Sequence, residues 1–287
     1  MEVQDWGGGL TQHEVEAIEK IKANFQASDA LAELDRKDSK TISLAEFKKS
    51  APSNPMFPWK GFSGFRLVDP RGSKEGEFDL VIVTHCNVLI IELKDWNNHK
   101  VTSSNNRWYL GSKDMGKSPV SITRNKKFLL DNILKRYKSR FSNKGYIPFV
   151  HFLVVMTGNA DFSKLNDEEK KYTISLDDFL KMKNEKEFNG YFRPHPASKV
   201  LNKDFIIFDE IFGGSNVKPK SIKVNGYVAE DEPAFQHPNK IYNEYFAYSE
   251  HSKNDQVLLR RWDFSKIKNP EAQTPDGRFK LVSREYE

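Results

Sequence analysis

Three charged residues interrupt two apolar stretches of the chain, and their types are those that metal-assisted hydrolysis uses. Asp79 lies in EFDLVIV, and Glu92 and Lys94 lie in NVLIIELKDW. Charged groups inside half-buried strands are costly unless a partner binds them. Two carboxylates can hold a divalent cation, and a neighbouring lysine can orient a water or a phosphate.

The two stretches are predicted to form a β-hairpin that turns at THCN, residues 84–87. With a symmetric turn, Asp79 lies directly opposite Glu92, and Glu77 lies opposite Lys94. Directly opposed residues have Cβ atoms about 4.5–5.5 Å apart. Because side chains alternate between faces, the charges gather at one end of one face. The other face is then the predicted core face, with Phe78, Leu80, Ile82, Leu89, Ile91 and Leu93.

Opposed carboxylates repel, so a sheet gains from Asp79 and Glu92 only if a cation binds them. A hard divalent ion such as Mg²⁺ prefers such oxygen ligands. The alternative is a solvated cluster of ion pairs, in which Glu77 pairs with Lys94 and Asp79 faces water. The prediction depends on the turn, since a one-residue shift moves the charges to the other face.

The elements around the hairpin predict an α/β fold. Residues 10–25 read as an amphipathic helix in which Thr11 and Glu14 form a capping box. Pro119 opens a long helix to about Tyr137, and residues 147–158 form a continuous apolar run typical of a buried strand. The alternation of helices and strands favours a central mixed sheet flanked by helices. The apolar stripe of the long helix is predicted to contain Ile122, Leu129, Leu130, Ile133 and Leu134.

The last third of the chain is less regular. Residues 204–212 are apolar without a clear period, and residues 220–230 read as strand, Asn-Gly turn and strand. We expect a first domain over residues 1–183 and a smaller C-terminal extension over 184–287. The charged C-terminal tail has no obvious stop, which suggests a fragment of a longer chain that continues into a further domain.

Composition limits the class of protein. The 287 residues are 38% hydrophobic and 30% charged, which is typical of a soluble globular protein. No apolar run is long enough to span a membrane, and the N-terminus lacks a secretion signal. The single cysteine, Cys86, excludes an internal disulfide and a cysteine-clustered zinc site. We therefore expect a cytoplasmic protein, and the net charge of +5 slightly favours a polyanionic partner.

The Asp of one strand followed by Glu-X-Lys on the next resembles the PD-(D/E)XK nuclease superfamily. EFDLVIV and NVLIIELKDW are similar in particular to the nuclease-related domain, NERD, as are the helix with His13 and Glu14 and the helix that begins SPVSITRNKKFLL. The resemblance covers residues 10–158. It implies a restriction-endonuclease-like core and hydrolysis of phosphodiester bonds.

The resemblance also implies roles for individual residues. Asp79 and Glu92 are expected to hold Mg²⁺ or Mn²⁺ together with the backbone carbonyl of Leu93, and Lys94 to orient the water or the phosphate. Glu14 is a further candidate ligand, with Glu16 and Glu19 as competitors, and Glu77 is a candidate supporting residue behind the ligands.

DNA is the expected substrate, contacted by exposed basic and aromatic residues. The candidates are Arg107, Trp108, Arg124, Lys126 and Lys127, although the last three also fit an ordinary solvated helix face. The family usually carries a Gln in the Pro-opened helix, where this chain has SIT at residues 121–123.

Two further expectations concern the whole protein. Residues 241–264 are similar to segments that follow NERD in large bacterial proteins, some with a kinase domain and some in anti-phage systems. The chain itself has no glycine-rich kinase loop and no His-Arg-Asp motif. The expected activity is a Mg²⁺-dependent nuclease with a role in anti-phage defence. The alternative is a catalytically silent module that binds nucleic acid or a partner and regulates an attached domain.

Overall fold

The structure is a computed structural model that describes residues 1–25, 59–69, 71, 74–143, 145–195, 198–250 and 252–285. The contacts between Cα atoms divide the chain into two compact units, Met1–Lys220 and Ser221–Glu287. This division lies later than the boundary expected at residues 183 and 184, because the segments up to Lys220 pack onto the first unit.

The strands of the first unit are β1 (Glu2–Asp5), β2 (Lys60–Val68), β3 (Glu75–Val83), β4 (Asn87–Lys94), β5 (Lys100–Ser104), β6 (Arg107–Leu110), β7 (Lys113–Lys117), β8 (Phe149–Met156), β9 (Asp161–Lys164), β10 (Thr173–Ser175) and β11 (Val217–Pro219). Its helices are α1 (Gln12–Asn24), α2 (Pro119–Arg136), α3 (Asp167–Lys170), α4 (Leu176–Leu180), α5 (Glu185–Phe192) and α6 (Phe205–Gly213). The 3₁₀ turns are Lys181–Lys183 and Asn202–Asp204.

A mixed sheet forms the centre of the first unit. Its strand order is β1-β2-β3-β4-β8-β10, with β11 also paired to β2. Strands β2, β3 and β4 are antiparallel, whereas β8 runs parallel to β4 and β10 parallel to β8. Strands β7-β6-β5-β9 form a second, smaller sheet. The predicted α/β class, with helices around a central mixed sheet, is confirmed.

The hairpin between β3 and β4 has the predicted register. Val83 pairs with Val88, and the ladder continues residue by residue to Leu80 and Ile91. Thr84 closes the turn, since its backbone N–H donates to the Asn87 carbonyl at 2.9 Å. The ladder ends at the pair Leu80 and Ile91, one pair before Asp79 and Glu92. The symmetric hairpin predicted that Asp79 and Glu92 are backbone partners, and they are not.

Both faces of the central sheet are buried, which corrects the expectation of a single core face. Leu80, Ile82, Leu89, Ile91 and Leu93 pack with α1, α4 and α5. Val81, Val83, Val88 and Ile90 pack on the other side, with residues of α2 and α6. Phe78 belongs to this second cluster and not with Leu80, so the regular alternation of β3 is broken at Asp79.

The two helices nearest the site begin as the sequence predicts. Thr11 caps α1 in a capping box with Glu14, and Ser118 caps α2 with Pro119 in the first turn. The buried side of α2 differs from the prediction at two positions. Ile122 is 37% exposed, whereas Lys126 is 9% exposed and lies on the buried side of the helix.

The second unit contains β12 (Lys223–Val224), β13 (Tyr227–Ala229), β14 (Phe235–Gln236), β15 (Tyr242–Ser249), β16 (Ser252–Trp262), α7 (Pro275–Ser283) and the 3₁₀ turns Phe264–Lys266 and Pro270–Gln273. The five strands form one antiparallel sheet. Asn225 and Gly226 form the turn between β12 and β13 with positive φ angles of 50° and 82°, as the Asn-Gly pair predicts. Within the described ranges, none of the helices is long and apolar enough to cross a membrane.

Candidate functional site

Strands β3 and β4 separate at the end of their ladder, and the predicted acidic residues lie at this separation. Asp79 is 2% exposed and Glu92 is 6% exposed. The Asp79 Oδ2 atom accepts a hydrogen bond from the Leu93 backbone N–H at 2.9 Å. A side-chain carboxylate therefore takes the place that a backbone carbonyl of β3 would have in a continuous ladder.

Two lysines hold the carboxylate of Glu92. The Lys94 Nζ lies 2.7 Å from Glu92 Oε1. Lys126, which reaches across from α2, contacts the other oxygen, Oε2. Glu92 and Lys126 are buried and Lys94 is partly buried, so solvent screens these contacts less than ion pairs on the surface. Helix α2 therefore reaches the candidate site through Lys126, although it has no glutamine where the resemblance implies one.

A third lysine, Lys220, lies between Asp79 and Glu14. Its Nζ is 2.6 Å from Asp79 Oδ1 and 3.0 Å from Glu14 Oε1. Glu14 uses its second oxygen, Oε2, to accept the Thr11 N–H at 2.8 Å in the capping box. Of the three helix glutamates weighed from the sequence, Glu14 is thus the one that α1 brings to Asp79.

The lysines keep Asp79 ionised. Burial alone would raise the pKa of its carboxyl, but the positive charges around it, that of Lys220 first, hold the pKa well below its usual range. Burial likewise works against the charged form of Lys94, and the charges of Glu92 and Asp79 outweigh it and raise the Lys94 pKa. The pKa of Lys220 is raised for the same reason, by Asp79 and Glu14. Three carboxylates and three ammonium groups therefore form a nearly neutral buried cluster.

The polar groups of the Leu93 backbone face β3. The Lys94 carbonyl points to the neighbouring strand on the other side, where its oxygen accepts a hydrogen bond from the Thr157 N–H at 2.9 Å, just beyond the end of β8. Successive residues of a strand direct their N–H and C=O groups to opposite sides, so those of Leu93 lie on the Asp79 side. The carbonyl predicted as a ligand is thus on the same side as the Asp79 carboxylate.

The carboxylates do not, however, form a cluster of three. In the described part of the chain, no group of three or more His, Cys, Asp or Glu side chains is arranged to hold a metal ion. Ammonium groups lie between the acidic residues instead, and Glu14 contacts Lys220.

Several residues predicted to bind nucleic acid lie elsewhere or are buried. The prediction of Trp108 as a surface contact is wrong. This side chain is completely buried in the core beside Trp96, with ring centroids 5.8 Å apart. The same prediction for Lys126 is also wrong, because its ammonium group pairs with Glu92 in the interior. Glu77, expected opposite Lys94, pairs in register with Arg66 of β2, and the backbone pairs between β3 and β4 end at Leu80 and Ile91, before these two residues.

The other three candidates lie on the surface and take part in ion pairs. Arg107 contacts Asp114 at 2.8 Å on the smaller sheet. Arg124 contacts Glu168 at 2.7 Å and lies over the ring of Tyr172. Lys127 contacts Asp131, one helical turn along α2, at 2.7 Å.

Lys220 is the site residue that sequence reasoning did not find. It lies 141 residues beyond Asp79 and 206 beyond Glu14 in the chain, outside the stretch that resembles the family. No spacing rule connects positions so far apart. The role of Lys126 had a signal, since it lies three residues after Thr123 and four before Leu130, both on the buried side of α2.

Comparison with known proteins gives one match. Residues 25–157 match the family model of the nuclease-related domain, NERD. This range contains β2, β3, β4, β8 and the helix α2, and hence Asp79, Glu92, Lys94 and Lys126. No curated protein and no solved structure matches the chain.

Proposed function

We propose that this protein, whose residues 25–157 match the nuclease-related domain, is a metal-dependent nuclease that hydrolyses phosphodiester bonds of DNA. One observation supports the proposal above all. Asp79 and Glu92 are buried, ionisable carboxylates at the end of the β3–β4 ladder, and Lys94 contacts Glu92 while its charge acts on Asp79. A buried cluster of this kind is costly to form and is common at functional sites.

The donor chemistry suits Mg²⁺ or Mn²⁺. Asp79 and Glu92 would hold the ion through carboxylate oxygens, with the Leu93 carbonyl as a further ligand, which is the hard oxygen set that these ions prefer. Bound there, the ion supplies positive charge that lowers the pKa of a water and offsets the charge of the phosphate. At present Lys220 and Lys94 provide that positive charge to the same oxygens.

The remaining steps belong to the protein's own groups. Lys94, held by Glu92 at the partly open side of the site, orients the attacking water or a phosphate oxygen. Lys126 fixes the second oxygen of Glu92, so that the carboxylate cannot rotate freely. Arg124 and Lys127 on the outer side of α2 offer positive charge to the DNA backbone, which makes binding dependent on salt.

Cleavage of supercoiled plasmid tests the proposal. We expect the protein to cut in Mg²⁺ or Mn²⁺ and not in EDTA, and Asp79→Asn and Lys94→Met each to reduce cutting at least a hundredfold. Asp167→Asn is the matched control, because Asp167 is fully exposed and its removal leaves the site intact. Cutting that survives in both site variants refutes the assignment.

The alternative function, a silent module that binds nucleic acid or a partner, is favoured by one observation. Every carboxylate of the cluster is already paired with a lysine, so that the site is electrically satisfied without a metal. Under this alternative the wild type does not cut in either metal. In a mobility-shift assay its DNA binding weakens as salt is added, and Asp79→Asn binds DNA as tightly as wild type. A role in anti-phage defence within a larger bacterial protein is a further proposal, tested by phage plating on cells that express the full gene or its Asp79→Asn form.

A further inference from the structure

The position of Lys220 is built by the backbone around it. Its N–H donates to the Gly64 carbonyl at 2.8 Å, directly after β11 pairs with β2. Gly64 lies between Ser63 and Phe65, the partners of Leu80 and Phe78, and is thus opposite Asp79. A Cβ on Gly8 would lie 2.8 Å from the Lys220 carbonyl and 2.4 Å from Pro219 Cβ, so only glycine allows this approach.

The ammonium group of Lys220 takes the place where a cation is needed. It lies 2.6 Å from Asp79 Oδ1, and the Lys220 side chain is 14% exposed. The other Asp79 oxygen is bound to the Leu93 N–H. Oδ1 is thus the Asp79 oxygen that the backbone leaves to a cation, and a divalent ion that binds there competes with the Lys220 ammonium group.

Glu14 provides the second contact of Lys220, and each of its two carboxylate oxygens accepts one hydrogen bond. Oε1 contacts the ammonium group at 3.0 Å and Oε2 accepts the Thr11 N–H. If Lys220 left Asp79, this contact with Glu14 would keep it beside the site. These contacts give Glu14 the role of positioning Lys220.

We propose that Lys220 is a displaceable cation of this site: it neutralises Asp79 in the metal-free protein, yields Oδ1 to a divalent ion, and stays on Glu14 to contact the anionic phosphodiester. The proposal rests on the proposed nuclease function. Charge balance supports it, since a divalent ion added to a neutral cluster leaves a positive site in low dielectric. Movement of the Lys220 ammonium group away from Asp79 reduces its repulsion with the ion, and the arrival of an anionic phosphodiester offsets the remaining positive charge.

Calorimetry with Mn²⁺ tests the displacement. In Lys220→Met the ion no longer competes with the ammonium group, so we expect its affinity to increase at least tenfold over wild type. We also expect Mn²⁺ to raise the melting temperature more in Lys220→Met than in wild type, because it restores a partner to buried Asp79. Lys218→Met, at an exposed position of β11 two residues before Lys220, is the control and should match wild type in both measurements. An Mn²⁺ affinity in Lys220→Met equal to or weaker than that of wild type overturns the proposal.

A double-mutant cycle tests the role of Glu14. Gln in place of Glu14 keeps a capping-box acceptor and removes the charge. On the Lys220→Met background, we expect Glu14→Gln to change Mn²⁺ affinity less than twofold, because Glu14 acts through Lys220. A tenfold loss of Mn²⁺ affinity on that background identifies Glu14 as a ligand and overturns its positioning role.

Steady-state cleavage of a labelled oligonucleotide tests the substrate contact. We expect the KM of Lys220→Met for the oligonucleotide to rise at least fivefold at saturating Mn²⁺, and an unchanged KM overturns this contact. If Lys220→Met does not fold, Lys220→Gln retains a neutral donor and carries the same expectations. If the wild type binds Mn²⁺ and cuts, and the Lys220 variants match it in Mn²⁺ affinity and in KM, this inference is refuted and the proposed function is not. A wild type that neither binds Mn²⁺ nor cuts refutes the proposed function and this inference with it.

Discussion

The backbone N–H of Leu93 donates a hydrogen bond to the Asp79 carboxylate at 2.9 Å, directly beyond the last backbone pair of β3 and β4. The same carboxylate accepts the Lys220 ammonium group. Asp79 is therefore a structural link between two strands and a distant segment, in addition to its proposed role as a ligand. Substitution of Asp79 should therefore affect both the stability of the fold and metal binding, and different variants can separate these two effects.

The first prediction concerns stability at Asp79. Asp79→Ala leaves the Leu93 N–H unsatisfied and breaks a buried ion pair, so we expect a loss of about 3–5 kcal/mol in the free energy of unfolding. Asp79→Asn keeps an acceptor for Leu93 and should lose about half as much. Urea unfolding in EDTA measures both. Equal stability of the two variants would show that the hydrogen bond to Leu93 contributes little.

The second prediction compares adjacent lysines on α2. Lys126 is buried against Glu92, whereas Lys127 pairs with Asp131 on the surface. We expect Lys126→Met to reduce stability by about 2 kcal/mol and to reduce cutting, because Glu92 is then held by one lysine only. Lys127→Met should cost less than about 0.5 kcal/mol.

The same pair of variants has opposite expectations for DNA binding. If Lys127 contacts a phosphate, the negative slope of log K for DNA binding against log salt becomes shallower by about one in Lys127→Met. Lys126→Met leaves this slope unchanged, since its ammonium group lies in the interior. A titration of a labelled duplex at four salt concentrations measures the slope. A change in slope for Lys126→Met alone would contradict the assignment of the two side chains.

The third prediction concerns Trp108, which is buried in the core and not on a binding surface. We expect Trp108→Ala to lose about 3–5 kcal/mol of stability through the cavity it leaves. Trp108→Phe, which fills part of that volume, should lose less. At a temperature where both variants are folded, DNA affinity should equal that of wild type. A specific loss of DNA affinity in folded Trp108→Phe would restore a contact role to this residue.

The local features of the site could be predicted from sequence because they depend on neighbours in the chain. The turn at Thr84 fixed the register of the hairpin as far as Leu80 and Ile91, and the Thr11 and Glu14 spacing fixed the cap of α1. The separation of the strands at Asp79 could not be read from the pattern, because alternation assumes a regular strand. Gly64, opposite Asp79, has a φ of +68°, and a positive φ of this kind interrupts the regular pleat.

The non-local features required the fold. Lys220 reaches Asp79 only because β11 pairs with β2. Trp108 is amphipathic in a short strand, and the sequence does not reveal which side of that strand is covered. The family resemblance predicted Asp79, Glu92 and Lys94 as site residues, but it could not include a lysine outside the matched range.

The last prediction concerns the acid sensitivity of the first unit and His85 in the hairpin turn. Burial first, and then the charge of Lys199, lowers the pKa of His85 to about 4 from an ordinary 6.5. Its ring packs against Phe188 at 5.2 Å between centroids, and its Nδ1 has no hydrogen-bond partner among the described residues. The folded state therefore favours the neutral imidazole.

Because the unfolded chain binds this proton more tightly, the contribution of neutral His85 is complete above pH 6.5 and is lost as the pH falls toward 4. We expect the loss to be about 1–2 kcal/mol, less than the full shift implies, because the ring keeps partial contact with solvent. His85→Gln should remove this part of the pH dependence, measured as the free energy of unfolding in urea at pH 7 and pH 4.5. His195→Gln, at an exposed histidine of the same unit, is the control and should keep the wild-type dependence. An equal loss of stability between the two pH values in wild type and His85→Gln would assign the acid sensitivity to other groups.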